Sequence, residues 1–137
     1  MNLHILAIDE TIYEGATTSI SIPTEEGIMT VLPHHQPIVA LLITGIVSIH
    51  TSQETKEFFI GGGFLEVKDD TVYILADTAE NLAQTNQEQA ELAYKQADEE
   101  LSSVQTAEET MYAKGELMKS LTRLKIINRR KHREHRY

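Results

Sequence analysis

Residues 55–80, TKEFFIGGGFLEVKDDTVYILADTAE, decide how this chain reads. Thr55–Ile60, Phe64–Lys68 and Thr71–Leu75 are short, two-periodic and rich in aromatic and β-branched residues, the pattern of strands. Gly61-Gly62-Gly63 and Asp69-Asp70 separate them. A glycine triplet invites a phosphate-loop reading, but no Gly-Lys-Ser/Thr follows and no helix starts there. A tight bend between two strands is the better reading. After Asp77 the pattern changes: no proline follows, and Gly115 is the sole later glycine.

Upstream, the same short periodicity repeats. Leu3, Ile5 and Ala7 alternate with His4, Leu6 and Ile8 ahead of Asp9-Glu10. Ile20 and Ile22 alternate with Ser19 and Ser21 and stop at Pro23. Glu26-Gly27 reads as a turn before Ile28–Leu32. The apolar run Ile38–Ile43 closes at Thr44-Gly45, and Ile46–His50 follows. Eight or so strands at roughly ten-residue spacing predict an antiparallel sandwich or barrel. A continuous run such as Ile38–Ile43 predicts a strand covered on both faces.

Downstream, Ala90, Tyr94, Ala97, Leu101 and Val104 step by four and three, a helical seam. Thr106 opens Thr-Ala-Glu-Glu, a capping box that starts a second helix. Its apolar line runs through Ala113, Leu117, Leu121, Leu124 and Ile127. The fold class is therefore α+β in two domains. Residues 1–84 form an antiparallel β-sandwich or barrel, and residues 85–137 an antiparallel α-helical hairpin with a basic tail.

Charge is divided as sharply as pattern. Eight of the twelve Lys and Arg residues lie in the last nineteen positions: Lys119, Arg123, Lys125, Arg129, Arg130, Lys131, Arg133 and Arg136, opposed only by Glu134. Residues 1–118 carry four bases against twenty acids, a body of −16 beside a tail of +7. Such a tail seeks an acidic surface, whether nucleic acid, anionic lipid, a protein partner or its own body. Complementing the dipole of the second helix accounts for a few of these charges, not for eight.

Composition narrows the classes further. The 137 residues are 41% apolar, enough for a real core, and contain no cysteine, hence no disulfide framework and no thiolate chemistry. No apolar run approaches the roughly 18 residues of a membrane span. The N-terminus does not read as a signal peptide, so the mature chain is expected to be the whole chain, soluble in itself. His34 and His35 are adjacent and point apart in an extended chain, with no further ligand nearby, so no metal site is expected. His132 and His135 sit among like charges. No catalytic triad or zinc-protease motif occurs, and the chain does not read as an enzyme.

Taken in order, Leu32-Pro33-His34-His35-Gln36-Pro37, Gly62-Gly63-Phe64-Leu65-Glu66-Val67 and Val72–Glu80, with a helical hairpin carrying Arg123-Leu124-Lys125-Ile126 and a basic end, resemble one family. It is the delta/epsilon subunit family of bacterial F-type ATP synthases, and the resemblance covers essentially the whole chain. It implies a non-catalytic rotor subunit of the central stalk in a proton-translocating complex. Such a subunit couples c-ring rotation to the catalytic head and inhibits ATP hydrolysis through its C-terminal helices. The implied partners are the gamma subunit, the c-ring and the catalytic beta (and alpha) subunits, with no nucleic acid. The implied place is the cytoplasmic face of the bacterial cell membrane, peripheral, held only through the complex.

The resemblance also assigns residues. Pro33, His34, His35, Gln36 and Pro37 match the family's segment facing the c-ring and gamma, with His34 in the place of its usual glycine. Ile28 stands where an acidic c-ring-facing residue is common, beside Glu25 and Glu26. Lys119, Arg123, Lys125, Arg129 and Arg130 fall on the part of the second helix that meets the beta subunit. The family's Ile/Leu-Asp-x-x-Arg-Ala nucleotide motif is here Thr85-Asn86-Gln87-Glu88-Gln89-Ala90, and Gln96 replaces a second basic residue. Glu80 and Arg123 are left as weak nucleotide candidates. A neutral Gln gives a triphosphate far less than a guanidinium, so no cofactor is expected. The Ala-rich seam implies hairpin docking worth only a few kcal/mol, a balance that partners can shift. Two other readings remain open on residues alone: a basic-tailed nucleic-acid-binding module and a regulatory scaffold. The first lacks stacking aromatics in its tail, and a −16 body repels phosphates.

Overall fold

Strand-forming residues dominate the first 81 positions of the computed structural model, which describes residues 1–84, 87–103 and 106–134, with side chains on the last helix to Arg129. The strands are β1 (Asn2–Leu6), β2 (Thr11–Ala16), β3 (Ser19–Thr24), β4 (Gly27–Val31), β5 (Ile38–His50), β6 (Thr55–Lys68), β7 (Thr71–Ala76) and β8 (Ala79–Asn81). They run in the order β2-β1-β7-β6-β5-β3-β4, with β8 also on β6. The ladders are antiparallel except β1 with β7, which is parallel. The sandwich is thus as the sequence predicts, but its segments differ. Ile38–Ile43 and Ile46–His50 are one strand, as are Thr55–Ile60 and Phe64–Lys68. β1 ends at Leu6, leaving Ile8 in an exposed turn.

The two long strands bend rather than stop. β6 pairs with β8 through Phe58–Ile60 and with β7 through Gly63–Lys68, so its partner changes across the glycine triplet. Gly62 and Gly63 take φ values of 99° and 146°, which only glycine adopts without strain. Pro23 does not end β3. The β3–β5 ladder is interrupted between Ser21 and Thr24, where a residue without an N–H costs nothing.

Both halves feed one core. Leu3, Ile5, Ile20, Ile22, Val47, Ile49, Phe58, Ile60, Leu65, Val67, Val72 and Ile74 are essentially removed from water. At roughly 1.5–3 kcal/mol for each large aliphatic or aromatic side chain, this set is the main favourable term for the sandwich.

Helix α1 spans Gln87–Ser103 and α2 spans Ala107–Glu134. Thr106 caps α2, its Oγ1 accepting the Glu109 N–H at 3.1 Å. Ala90, Ala97 and Ala113 are buried in the seam, while Val104 lies outside the described residues. Near the start of α1, Gln87 Nε2 donates to Asn128 Oδ1 at 3.1 Å. The chain divides into two compact units, Met1–Gln84 and Thr85–Tyr137.

Candidate functional site

Alternation along four strands builds an apolar outer face on the sandwich. Leu3 and Ile5 of β1, Val72 and Ile74 of β7 and Leu65 and Val67 of β6 point into the core. Their neighbours must therefore point out. Register pairs Leu6 with Leu75, Leu75 with Phe64 and Phe64 with Leu41. These four form one row across four adjacent strands, about 14 Å wide at the usual strand spacing. Phe64 is 54% exposed, Leu41 53%, Leu75 49% and the neighbouring Val39 70%. Ile43 extends the patch.

This overturns the expectation that Ile38–Ile43 is covered on both faces. Within this structure its second face is open to water, so one chain supplies only half of the burial its composition calls for. A contiguous exposed apolar surface of this kind marks an interaction site. A second row borders it, where His4 stacks on Tyr73 with ring centroids 4.9 Å apart, and His4 Nδ1 lies 3.7 Å from Glu14 Oε1.

The loop of Pro33, His34, His35, Gln36 and Pro37 joins β4 to β5 and is mostly exposed. The His35 N–H closes a turn on Leu32 O at 3.2 Å, and its Nδ1 donates to Gln36 O at 2.7 Å. His34 has φ 65°, a left-handed conformation that explains why glycine suits this place. His34→Gly should therefore stabilise the sandwich by about 0.5–1 kcal/mol, read from the urea midpoint. The His34 N–H donates to Asp70 Oδ1 at 2.9 Å, and this hydrogen bond holds the Asp70 carboxyl below its ordinary value. Ile28 of β4 is exposed.

On α2, Lys119 and Arg123 lie one turn apart. Lys125 and Arg129 form a second line. These four described residues are thus two stripes, not one patch. Lys119 Nζ lies 3.7 Å from Glu116 Oε1, a partly exposed i,i+3 pair worth little. Lys125 and Arg129 are exposed. The side chains of residues 130–134, and all of His135, Arg136 and Tyr137, lie outside the described residues. Because α1 begins beside Asn128, the Arg129–Glu134 stretch of α2 runs past the first residue of the partner helix; Arg129 and Arg130 belong to that stretch, while Lys119, Arg123 and Lys125 precede it.

The nucleotide candidates fall in different units, Glu80 on β8 and Arg123 on α2. Glu80 borders a polar hollow of about 370 Å³ that also presents Glu10, an arrangement that repels phosphate. Gln87 and Gln89 stand in the first turn of α1, while Thr85 and Asn86 lie outside the described residues. Among the described residues no group of three or more His, Cys, Asp or Glu could hold a metal, and no helix is long and apolar enough to cross a membrane.

Residues 1–82 match the family described as ATP synthase, Delta/Epsilon chain, beta-sandwich domain. The chain is 32% identical over 130 residues to the ATP synthase epsilon chain of Neisseria meningitidis serogroup C (strain 053442), covering 93% of each. It is 38% identical over 77 residues to the ATP synthase epsilon chain of Leptospira borgpetersenii serovar Hardjo-bovis (strain JB197), where the match spans 56% of this chain and 61% of that one. Its fold superposes with a TM-score of 0.69, at 26% identity, on a chain in a cryo-EM structure of the Euglena gracilis mitochondrial ATP synthase containing OSCP, F1 and c-ring. That match covers 88% of this chain and 76% of the other.

Proposed function

Because the chain belongs to the delta/epsilon family of ATP synthase subunits, we propose that it is a non-catalytic subunit of the central stalk that couples rotation of a proton-driven c-ring to the catalytic head and restrains ATP hydrolysis through its C-terminal helices. The outward row Leu6–Leu75–Phe64–Leu41, half-buried at Leu6 and exposed at the other three, carries the reading. A rotating joint has to transmit torque without dissociating, and buried apolar area gives a contact that salt does not screen. The gamma subunit is the partner assigned to this face. The loop Pro33–Pro37 faces the c-ring, and the complex sits on the cytoplasmic side of the bacterial membrane, held there through the ring.

The basic overhang suits a different kind of partner. A helix end dense in Arg and Lys attracts an acidic surface over a Debye length, and the catalytic beta subunit is the one proposed. Its hold on the head competes with whatever keeps the hairpin elsewhere, so a modest gap between states becomes a brake. Ending the chain at Thr122 should raise ATP hydrolysis by the reconstituted complex about fivefold or more, while assembly is spared. Reversing charge with Arg129→Glu and Arg130→Glu on the full-length chain should do the same with the hairpin's apolar seam intact. Hydrolysis unchanged by both would remove the inhibitory role from the tail.

Nucleotide does not tune this brake. With Gln at positions 87 and 89 and Glu10 beside Glu80, no guanidinium-rich cradle for a triphosphate is on view among the described residues. Equilibrium dialysis of the purified chain should give an ATP affinity no tighter than about millimolar. A micromolar affinity would contradict this.

A further inference from the structure

We propose that Asp70 is a positioning residue for the Pro33–Pro37 loop: its carboxylate, by accepting the His34 backbone N–H, holds the loop in the shape that meets the c-ring. The inference rests on the reading of that loop as ring-facing.

The loop has few ways to hold a shape. Pro33 and Pro37 lack N–H groups, leaving three backbone donors at His34, His35 and Gln36. The two hydrogen bonds made by His35 stay inside the segment 32–36. Among the described residues, the bond from His34 N to Asp70 Oδ1, at 2.9 Å across 36 positions of sequence, is the one that ties this loop to another segment.

Asp70 is itself held firmly. Its backbone carbonyl accepts the Asn2 N–H at 3.1 Å, and its Oδ2 lies 3.8 Å from the Met1 nitrogen. It shares with Asp69 the two-residue turn between β6 and β7, at φ 51° and 56°. Turns of this hand favour glycine at the second position. An aspartate there accepts a backbone cost in exchange for a carboxylate aimed at the loop. His34, Asp69 and Asp70 are all of the non-glycine residues with positive φ among those described; His34 and Asp70 are the two ends of this hydrogen bond, and Asp69 precedes Asp70 in its turn. Backbone strain concentrated in one place points to a geometry held for a purpose.

Two substitutions separate the hydrogen bond from the turn. Asp70→Gly accepts the left-handed conformation and removes the acceptor, whereas Asp70→Asn tolerates the conformation and keeps Oδ1. In the full chain, amide exchange at His34 followed by NMR should speed up about tenfold with Gly and stay near native with Asn. In the reconstituted complex, capture of detergent-solubilised c-ring should weaken about fivefold with Gly and recover with Asn. If His34 exchange is unchanged in the Gly variant, or Asn fails to restore it, the positioning role is overturned. If exchange is released as expected but ring capture stays native, the ring-facing reading of the loop fails instead, and the role proposed for Asp70 fails with it.

Discussion

Gly63→Ala should abolish the native sandwich or lower its melting temperature by roughly 20 °C. A Cβ on Gly63 would lie 2.0 Å from Leu75 O, 2.8 Å from Ala76 Cα and 2.9 Å from Leu75 C. All three are backbone atoms of the strand that Gly63 pairs with, so no side chain can swing aside. The φ of 146° adds strain for any L residue. Relief requires β6 and β7 to part where Leu65 and Ile74 meet the core. A cost of about 4 kcal/mol or more is expected, against a total stability of only about 5–15 kcal/mol for a domain. Gly62→Ala is the internal control. Its φ of 99° is also strained, but its nearest neighbour is Leu42 O at 3.5 Å, so about 1–2 kcal/mol should suffice. Thermal melts of the two variants measure both. A Gly63→Ala protein within about 1 kcal/mol of the native chain would mean that β6 and β7 do not approach as described.

Phe64→Asp should leave the isolated chain folded yet weaken its complex with gamma by about 30-fold or more. Phe64 stands at the centre of the apolar row, flanked across the ladder by Leu41 and Leu75. It is 54% exposed in the chain alone, so folding draws only part of its burial energy, and a change there should cost within about 1 kcal/mol. In the complex the same position would be a desolvated anchor. Losing a large aromatic contact and burying a carboxylate in its place should cost at least about 2 kcal/mol. Ser52→Asp, in the exposed turn between β5 and β6, carries the same added charge off the face and should bind as the native chain does. Parallel titrations of the three proteins with gamma decide it. Equal affinity for Phe64→Asp would move the interface elsewhere.

The parts of the fold fixed by local chemistry were legible in the sequence. Thr106 followed by Glu109 announced the start of α2, and the three-four spacing from Ala113 to Ile127 announced its buried side. Gly61–Gly63 announced a bend. What the bend joined was not legible, because glycine marks a turn between two strands and a corner within one strand alike. Only the pairing of β6 with β8 on one side and β7 on the other distinguishes them. β2 escaped because Glu14 and Gly15 dilute its alternation and it lies at the sheet edge. The candidate sites divide in the same way. The apolarity of Ile38–Ile43 spoke of burial on two faces, yet composition cannot say which chain supplies the second. Basic residues on α2 were plain, but their split into two stripes and the overhang past α1 needed the helix register and the Gln87–Asn128 contact. Asp70 read only as a turn residue, and nothing local signalled its bond to the loop, since its partner His34 is 36 positions away.

The most direct test of the stalk assignment is calorimetry of the native chain with purified gamma subunit, in nuclease-treated buffer at about 0.5 M salt, where the Debye length falls to roughly 4 Å. Binding through the Leu6–Leu75–Phe64–Leu41 face predicts a tight complex with a negative heat-capacity change, little weakened between low and high salt. Loss of binding at high salt, or no complex at any salt, would mean that the apolar face does not join this chain to the stalk.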